Sequence, residues 1–168
     1  MLKIGNNISR FSTYSCQPKT REELKVLVYR RICWEGPECD LNDIDVSQID
    51  DMSYLFYRLN FNGDISKWDV SNVKNMHSMF NTTNFNGDIS KWNVSNVVFM
   101  NCMFFGSDFN NDISKWNLSN VEYMSYMFFN SKFDQDISNW NISEECETHN
   151  MFLNCEIRQE YKPKSLQR

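Results

Sequence analysis

Apolar side chains return along this chain in blocks spaced 24 residues apart, superimposed on the shorter rhythms of local structure. Asp64-Ile65-Ser66-Lys67-Trp68 comes back as Asp88-Ile89-Ser90-Lys91-Trp92 and as Asp112-Ile113-Ser114-Lys115-Trp116, then drifts to Asp136-Ile137-Ser138-Asn139-Trp140. Met79-Phe80 recurs in the same register as Met103-Phe104, Met127-Phe128 and Met151-Phe152. Phe61-Asn62-Gly63, Phe85-Asn86-Gly87, Phe109-Asn110-Asn111 and Phe133-Asp134-Gln135 open the units with turn-forming residues. A degraded earlier copy is carried by Leu41, Ile44, Val46, Ile49, Met52, Leu55 and Phe56. The units therefore run 37–60, 61–84, 85–108, 109–132 and 133–156.

Within one unit the pattern changes period. Ile65, Trp68 and Val70 read as a short extended segment. Ser71-Asn72 supplies a helix N-cap signal, and Val73, Met76, Met79 and Phe80 follow at helical spacing with one apolar face. Each unit is thus expected to be strand, turn, short helix, turn, and the fold class an α/β tandem-repeat solenoid in which stacking buries the apolar side of each coil. Thr20 and Glu23 form a capping box ahead of Leu24, Leu27, Val28 and Ile32, which predicts a helix over 21–33 that covers the first coil. In the last unit Glu145 and Thr148 replace the usual Val and Met, as suits a terminal repeat. The organisation expected is an N-terminal segment and capping helix over 1–36, a five-repeat array over 37–156, and a flexible basic tail over 157–168 carrying Arg158, Lys162, Lys164 and Arg168.

The unit Phe-Asn-x-Asp-Ile-Ser-x-Trp-Asn/Asp-Val-Ser-Asn-Val-x-x-Met-x-x-Met-Phe resembles the repeat of BspA-like surface proteins of the leucine-rich-repeat superfamily. The entry Glu38-Cys39-Asp40-Leu41-Asn42-Asp43-Ile44-Asp45-Val46-Ser47, running on to Asp51-Met52-Ser53, resembles that family's usual entry into its repeats. The likeness covers about 37–156. It implies a right-handed, leucine-rich-repeat-like coil and a non-catalytic role in adhesion or protein interaction at a cell surface.

Composition narrows the partners. A net charge of −5 argues against a binder of nucleic-acid backbones, which would carry a basic patch. No apolar run is long enough to span a bilayer, and Met1-Leu2-Lys3-Ile4-Gly5-Asn6-Asn7-Ile8 lacks the apolar stretch of a secretory signal. On those grounds the chain is expected to be cytoplasmic as encoded, although the family it resembles is mostly cell-surface. Cys16, Cys33, Cys39, Cys102, Cys146 and Cys155 show no metal-ligand spacing and read as free thiols. Bridges Cys33–Cys39 or Cys146–Cys155 stay open for an oxidising compartment.

No constellation demands catalysis. Asp64, Asp88, Asp112 and Asp136 form a column readable as a calcium ladder or as carboxylates that accept turn amides and meet Lys67, Lys91 and Lys115. Trp68, Trp92, Trp116 and Trp140 are readable as a stacking strip for carbohydrate or bases, or as a core ladder; their fixed place between Ile and Val favours the core. The Met76 and Met79 columns read as core filler. His77 and His149 share one repeat position three periods apart, beside no nucleophile. With 5 glycines in all there is no nucleotide-binding loop, and no cofactor or metal is expected. Asn7-Ile8-Ser9 is a glycosylation sequon that matters only where the machinery exists.

Recognition is expected where the columns differ. Asn75 becomes Phe99 and Tyr123, and Tyr57 and Asn81 become Phe105, Phe129 and Leu153. Phe99, Tyr123, Phe105 and Phe129 are the candidate partner-binding residues, against the alternative that Phe105 and Phe129 only pack between coils. The function expected is a non-enzymatic protein-interaction or adhesion module whose partner is a protein. The alternative is a structural component of a cell envelope or virion, associating with itself end to end.

Overall fold

In a computed structural model describing residues 17–167, each 24-residue unit folds as a succession of tight turns. In the second unit the Trp68 N–H donates to the Ile65 carbonyl (3.2 Å), Val73 to Val70 (2.9 Å) and Met79 to Met76 (3.2 Å). The first and fourth residues of each turn are apolar and buried; the two between them lie outside in Ile65–Trp68 and Val70–Val73, whereas in Met76–Met79 Ser78 is buried as well. A carboxylate or amide precedes each turn and accepts the N–H two residues on: Asp64 from Ser66 (2.9 Å), Asp69 from Ser71 (3.1 Å), Asn75 from His77 (3.0 Å). Short polar side chains that mimic a backbone turn are what the pattern Asx-apolar-x-x-apolar supplies.

Main-chain bonds tie each coil to the next. The N–H groups of Met76, Ser78, Phe80 and Thr82 donate to the carbonyls of Phe99, Asn101, Met103 and Phe105 at 2.8, 3.1, 2.9 and 2.7 Å. Residues 52–58 repeat the pattern one coil earlier, and 100–106 and 124–130 repeat it later. Regular pairing is confined to isolated parallel bridges, Asp51 to Asn75, Asn75 to Phe99, Phe99 to Tyr123, Tyr123 to Glu147, and Asp40 to Asp64.

The fold class expected from the sequence is therefore corrected. The described residues contain one α-helix, α1 (Arg21–Glu35), outside the units, and no extended strand; the right-handed, leucine-rich-repeat-like α/β coil of strand–turn–short-helix units is absent. The run from Val73 to Phe80 is kept from being a helix by left-handed residues. Ser78 (φ 54°) and Thr82 (φ 57°) recur as Tyr54 and Arg58, Cys102 and Gly106, Tyr126 and Asn130, Asn150 and Asn154. A left-handed residue ends helical propagation, and its alternation with right-handed neighbours lines N–H groups up on one side. Those aligned groups are the ones that reach the next coil.

The core is a set of columns. Phe56, Phe80, Phe104, Phe128 and Phe152 stack at successive centroid distances of 5.4, 5.6, 5.5 and 5.7 Å, beside Phe61, Phe85, Phe109 and Phe133 at 6.0, 6.2 and 6.2 Å. Trp68, Trp92, Trp116 and Trp140 are no more than 5% exposed. Each indole Nε1 donates to a carbonyl of the preceding coil, Leu41, Ile65, Ile89 and Ile113, at 2.9 to 3.2 Å. Asparagines close the outer edges: the Asn86 N–H donates to Asn62 Oδ1 (2.8 Å) and Asn110 to Asn86 (2.7 Å), while Asn96 Nδ2 reaches the Ser71 carbonyl (2.7 Å).

Both ends are dressed. Thr20 accepts the Glu23 N–H, Glu23 accepts the Lys19 N–H, and Leu24 and Val28 of α1 are fully buried in the same cluster as the coils. At the other end, the segment after 156 differs from the free tail expected: Ile157 and Pro163 are buried, Ile137 donates to the Tyr161 carbonyl (3.0 Å), and Arg158 pairs with Asp134 (2.9 Å). In the last coil Cys146 fills the space left by the missing valine, its N–H closing a turn on Ser143 (3.1 Å). The N-terminal stretch from Met1 to Ile8, the Asn7 sequon, Cys16 and Arg168 lie outside the described residues.

Two stability tests follow from this packing, both read by urea unfolding. Trp92→Ala is expected to cost about 3–5 kcal/mol, since it empties a buried site and removes the indole bond to the Ile65 carbonyl. Thr82→Gly is expected to raise stability by about 1 kcal/mol, because a β-branched residue is strained at positive φ and Gly106 holds the same place at φ 59°.

Candidate functional site

The acidic column sits on exposed turns and is occupied by its own backbone. Asp64, Asp88, Asp112 and Asp136 accept the N–H of Ser66, Ser90, Ser114 and Ser138 at 2.9, 2.9, 2.8 and 3.0 Å. The amide and hydroxyl of the serine two residues on hold each carboxyl below the usual carboxylate range. Repulsion between stacked carboxylates, as between Asp64 and Asp88, works the other way and is outweighed. Among the described residues no group of three or more His, Cys, Asp or Glu is placed to hold a metal ion.

The tryptophan column lies inside, its polar edge spent on carbonyls of the coil before it. The described cysteines are free thiols. Burial raises Cys39, Cys102 and Cys155 above the ordinary thiol range and pushes Cys146 up to about 11, the reverse of what activates a nucleophile.

The variable columns are different. They lie on the outer side of the ladder that runs from residue 75 to 82 and its equivalents. Phe99 is 40% exposed and stacks on Tyr123 of the next coil, centroids 4.9 Å apart and planes 10° from parallel. Phe105 stacks on Phe129 at 4.8 Å and 12°, both rings half-buried. The structure thus joins the four sequence candidates as two pairs. Tyr126, beside Phe129 at 5.8 Å, widens the second. Leu153 continues that column and is 48% exposed.

Sequence reasoning missed the other half of this face. Tyr54 sits edge-on to His77 (4.8 Å) with its hydroxyl 2.6 Å from Nε2, and edge-on to Tyr57 (5.6 Å). Tyr126 and His149 repeat the edge-on pair three coils later at 5.6 Å. The signal was present: a tyrosine stands 23 residues before each histidine. It became meaningful only once residue i was known to lie against residue i+24.

Two open polar hollows flank the face. One of 420 Å³ is lined by Asn72, Lys74, Asn96, Val98, Asn120 and Glu122. The other, of 460 Å³, lies between the last two coils and includes Tyr123, Glu122, Glu145 and Glu147. Their walls are asparagine amides, serines and carboxylates, suited to rim contacts around an aromatic patch rather than to enclosing a small molecule.

A coil of this register defines a class of repeat protein. Residues 33–128 and 81–163 match the family described as "Mycoplasma protein of unknown function, DUF285", and the chain belongs to it. No curated protein and no solved structure matches the chain.

The acidic turns give a pH dependence. Their folded-state pKa values lie below the unfolded ones, so the stability they contribute is present above the unfolded range and is lost as pH falls through the folded values, below about pH 4. Asp88→Asn keeps the turn acceptor, as Asn93 and Asn117 do in the neighbouring column. It is expected to leave stability at pH 7 nearly unchanged and to flatten the loss in acid, measured by thermal unfolding between pH 2 and 7.

Proposed function

We propose that this chain is a non-catalytic interaction module of the BspA-like surface-protein kind, presenting its variable aromatic columns to a protein partner. The observation that carries the reading is the contrast between two kinds of column. Positions facing inward are nearly invariant from coil to coil, whereas the ladder's outer side changes from Asn75 to Phe99 and Tyr123, and from Asn81 to Phe105 and Phe129. Half-exposed aromatic rings with polar surroundings are the composition of interface centres. Membership of the family described for mycoplasmas supports the same direction. No helix among the described residues is long and apolar enough to cross a membrane. A cell-surface placement belongs to the proposal through the family likeness alone.

A photo-crosslinking amino acid at position 99 or 129, in the protein expressed in its native source, tests this. The expected result is a discrete protein adduct from those sites, lost on Phe105→Ser, and none from positions 67 or 91 on the uniform turn face. Equal labelling from both faces, or none from either, would sink the reading.

A further inference from the structure

The ladder that joins the coils is polar in one sense. In every coil the N–H groups at alternate positions point to the next coil, and the carbonyls between them point back. Other N–H and carbonyl groups close local turns, as Met151 does on Thr148, Leu153 on Asn150 and Cys155 on Phe152. Along this row one end of the array therefore presents acceptors and the other donors, while flanking bonds run the other way, the N–H groups of Val98 and Phe99 donating back to the Lys74 carbonyl and that of Asp108 to Thr83.

The two ends are treated differently. At the acceptor end α1 packs on the first coil: Leu24 and Val28 are fully buried in its cluster, Ser53 is 4% exposed, Leu55 fully buried, and Arg21 Nη1 donates to Ser53 Oγ at 2.9 Å. At the donor end, among the described residues, no acceptor meets the N–H groups of Thr148, Asn150, Phe152 and Asn154. The segment after 156 covers the other half of that coil, through Ile157, Tyr161 and Pro163, and reaches this half where Lys162 Nζ lies 5.7 Å from the Phe152 ring. Phe152 is partly exposed, although Phe56, Phe80, Phe104 and Phe128 in its column are fully buried.

We infer that this edge, Thr148 to Asn154, is a docking site for an extended, lysine- or arginine-bearing segment of a partner protein, which adds to the ladder through its main-chain carbonyls. Four N–H groups in one row select a row of acceptors, and Phe152 with Leu153 offers the apolar contact that strand addition uses. Charge settles which acceptors. Residues 133–156 hold Asp134, Asp136, Glu144, Glu145, Glu147 and Glu156 and no Lys or Arg; Arg158 pairs with Asp134 and Lys162 lies at Phe152, and the remaining excess of acid repels an anion and draws in a neutral carbonyl row flanked by basic side chains. Two copies meeting donor edge to donor edge would set N–H against N–H along the row, and a second copy meeting head to tail meets α1 packed on its first coil. This edge is separate from the aromatic face, so failure at one leaves the other standing.

The probe is a synthetic peptide of residues 72–84, which carries the carbonyls of Asn75, His77, Met79 and Asn81 in ladder register together with Lys74 and no acid. Amide exchange is followed by NMR on the whole chain. In the free protein the four edge amides are expected to exchange fast, and those of Met124, Tyr126, Phe128 and Asn130 slowly. Peptide at about ten times its dissociation constant is expected to slow the four by roughly tenfold. Glu147→Lys, an exposed change, is expected to weaken binding about two- to fivefold. Thr148→Pro, which removes one donor that no internal bond uses, is expected to weaken it further without changing the rest of the amide spectrum. Peptide that leaves these amides untouched overturns the inference. So does protection by inorganic phosphate alone, or protection already present in the free protein that rises with its concentration, which would make the occupant a second copy.

Discussion

Everything in this molecule depends on a row of main-chain hydrogen bonds, four alternate N–H groups of each coil donating to the next. They fix residue i against residue i+24, and they form only if both coils hold the same backbone conformation. That requirement turns a one-dimensional repeat into a set of columns, since a side chain facing inward in one coil must face inward in all. It explains why the apolar positions are repeated almost verbatim: a phenyl ring in the Phe80 column has a phenyl ring above and below it, and any other shape leaves a gap on two sides. The same rule acts on polar groups. Stacked Asp64 and Asp88 are tolerated because each carboxylate is bonded by its own turn, and stacked Asn62 and Asn86 are favourable because an amide oxygen in one coil meets an N–H of the next.

What the sequence made legible, and what it hid, divides along this line. Register, unit boundaries and the inward set from Ile65 to Phe80 could be read from repetition alone. So could α1, because a capping box and an apolar stripe are local signals that need no neighbour. The conformation within the unit could not be read from spacing. Residues 73, 76 and 79 are three apart, which fits one face of a short helix and also fits successive turns whose first and fourth residues point inward. The deciding signals were the Asx residue ahead of each apolar pair and the alignment of Gly106 with Asn130 and Asn154, residues that accept a left-handed backbone. Tyr54, Arg58 and Thr82 in those columns masked the pattern, because tertiary bonding holds unsuited residues in a conformation they would not choose.

The candidate site was half legible for the same reason. Phe99, Tyr123, Phe105 and Phe129 stood out as departures from a repeating column, and departures are visible in a sequence once the repeat is known. The Tyr54–His77 pair was not visible, because both residues are singular and their meeting is a property of the ladder, not of either column. The Asp and Trp columns show the converse. Perfect repetition of a functional-looking residue in a stacked array reflects a local bond or a packing position: here the Asp column serves the turn amides and the Trp column the carbonyls of the previous coil.

Separating the two kinds of position has a consequence for how such a scaffold can change. Substitutions in the inward columns are felt by the coils on either side, so they are constrained by two neighbours at once. Outer positions of the ladder, by contrast, have their backbone fixed by the main-chain bonds whatever side chain they carry, as Asn75, Phe99, Tyr123 and Glu147 show in one column of parallel bridges. Such a surface can be rewritten residue by residue without disturbing the fold beneath it. The left-handed positions are a partial exception, since their side chains are free but their backbone favours Gly and Asn. The surface open to variation therefore narrows to the columns of 75, 77 and 81, and these hold the stacked pairs Phe99–Tyr123 and Phe105–Phe129 and both histidines.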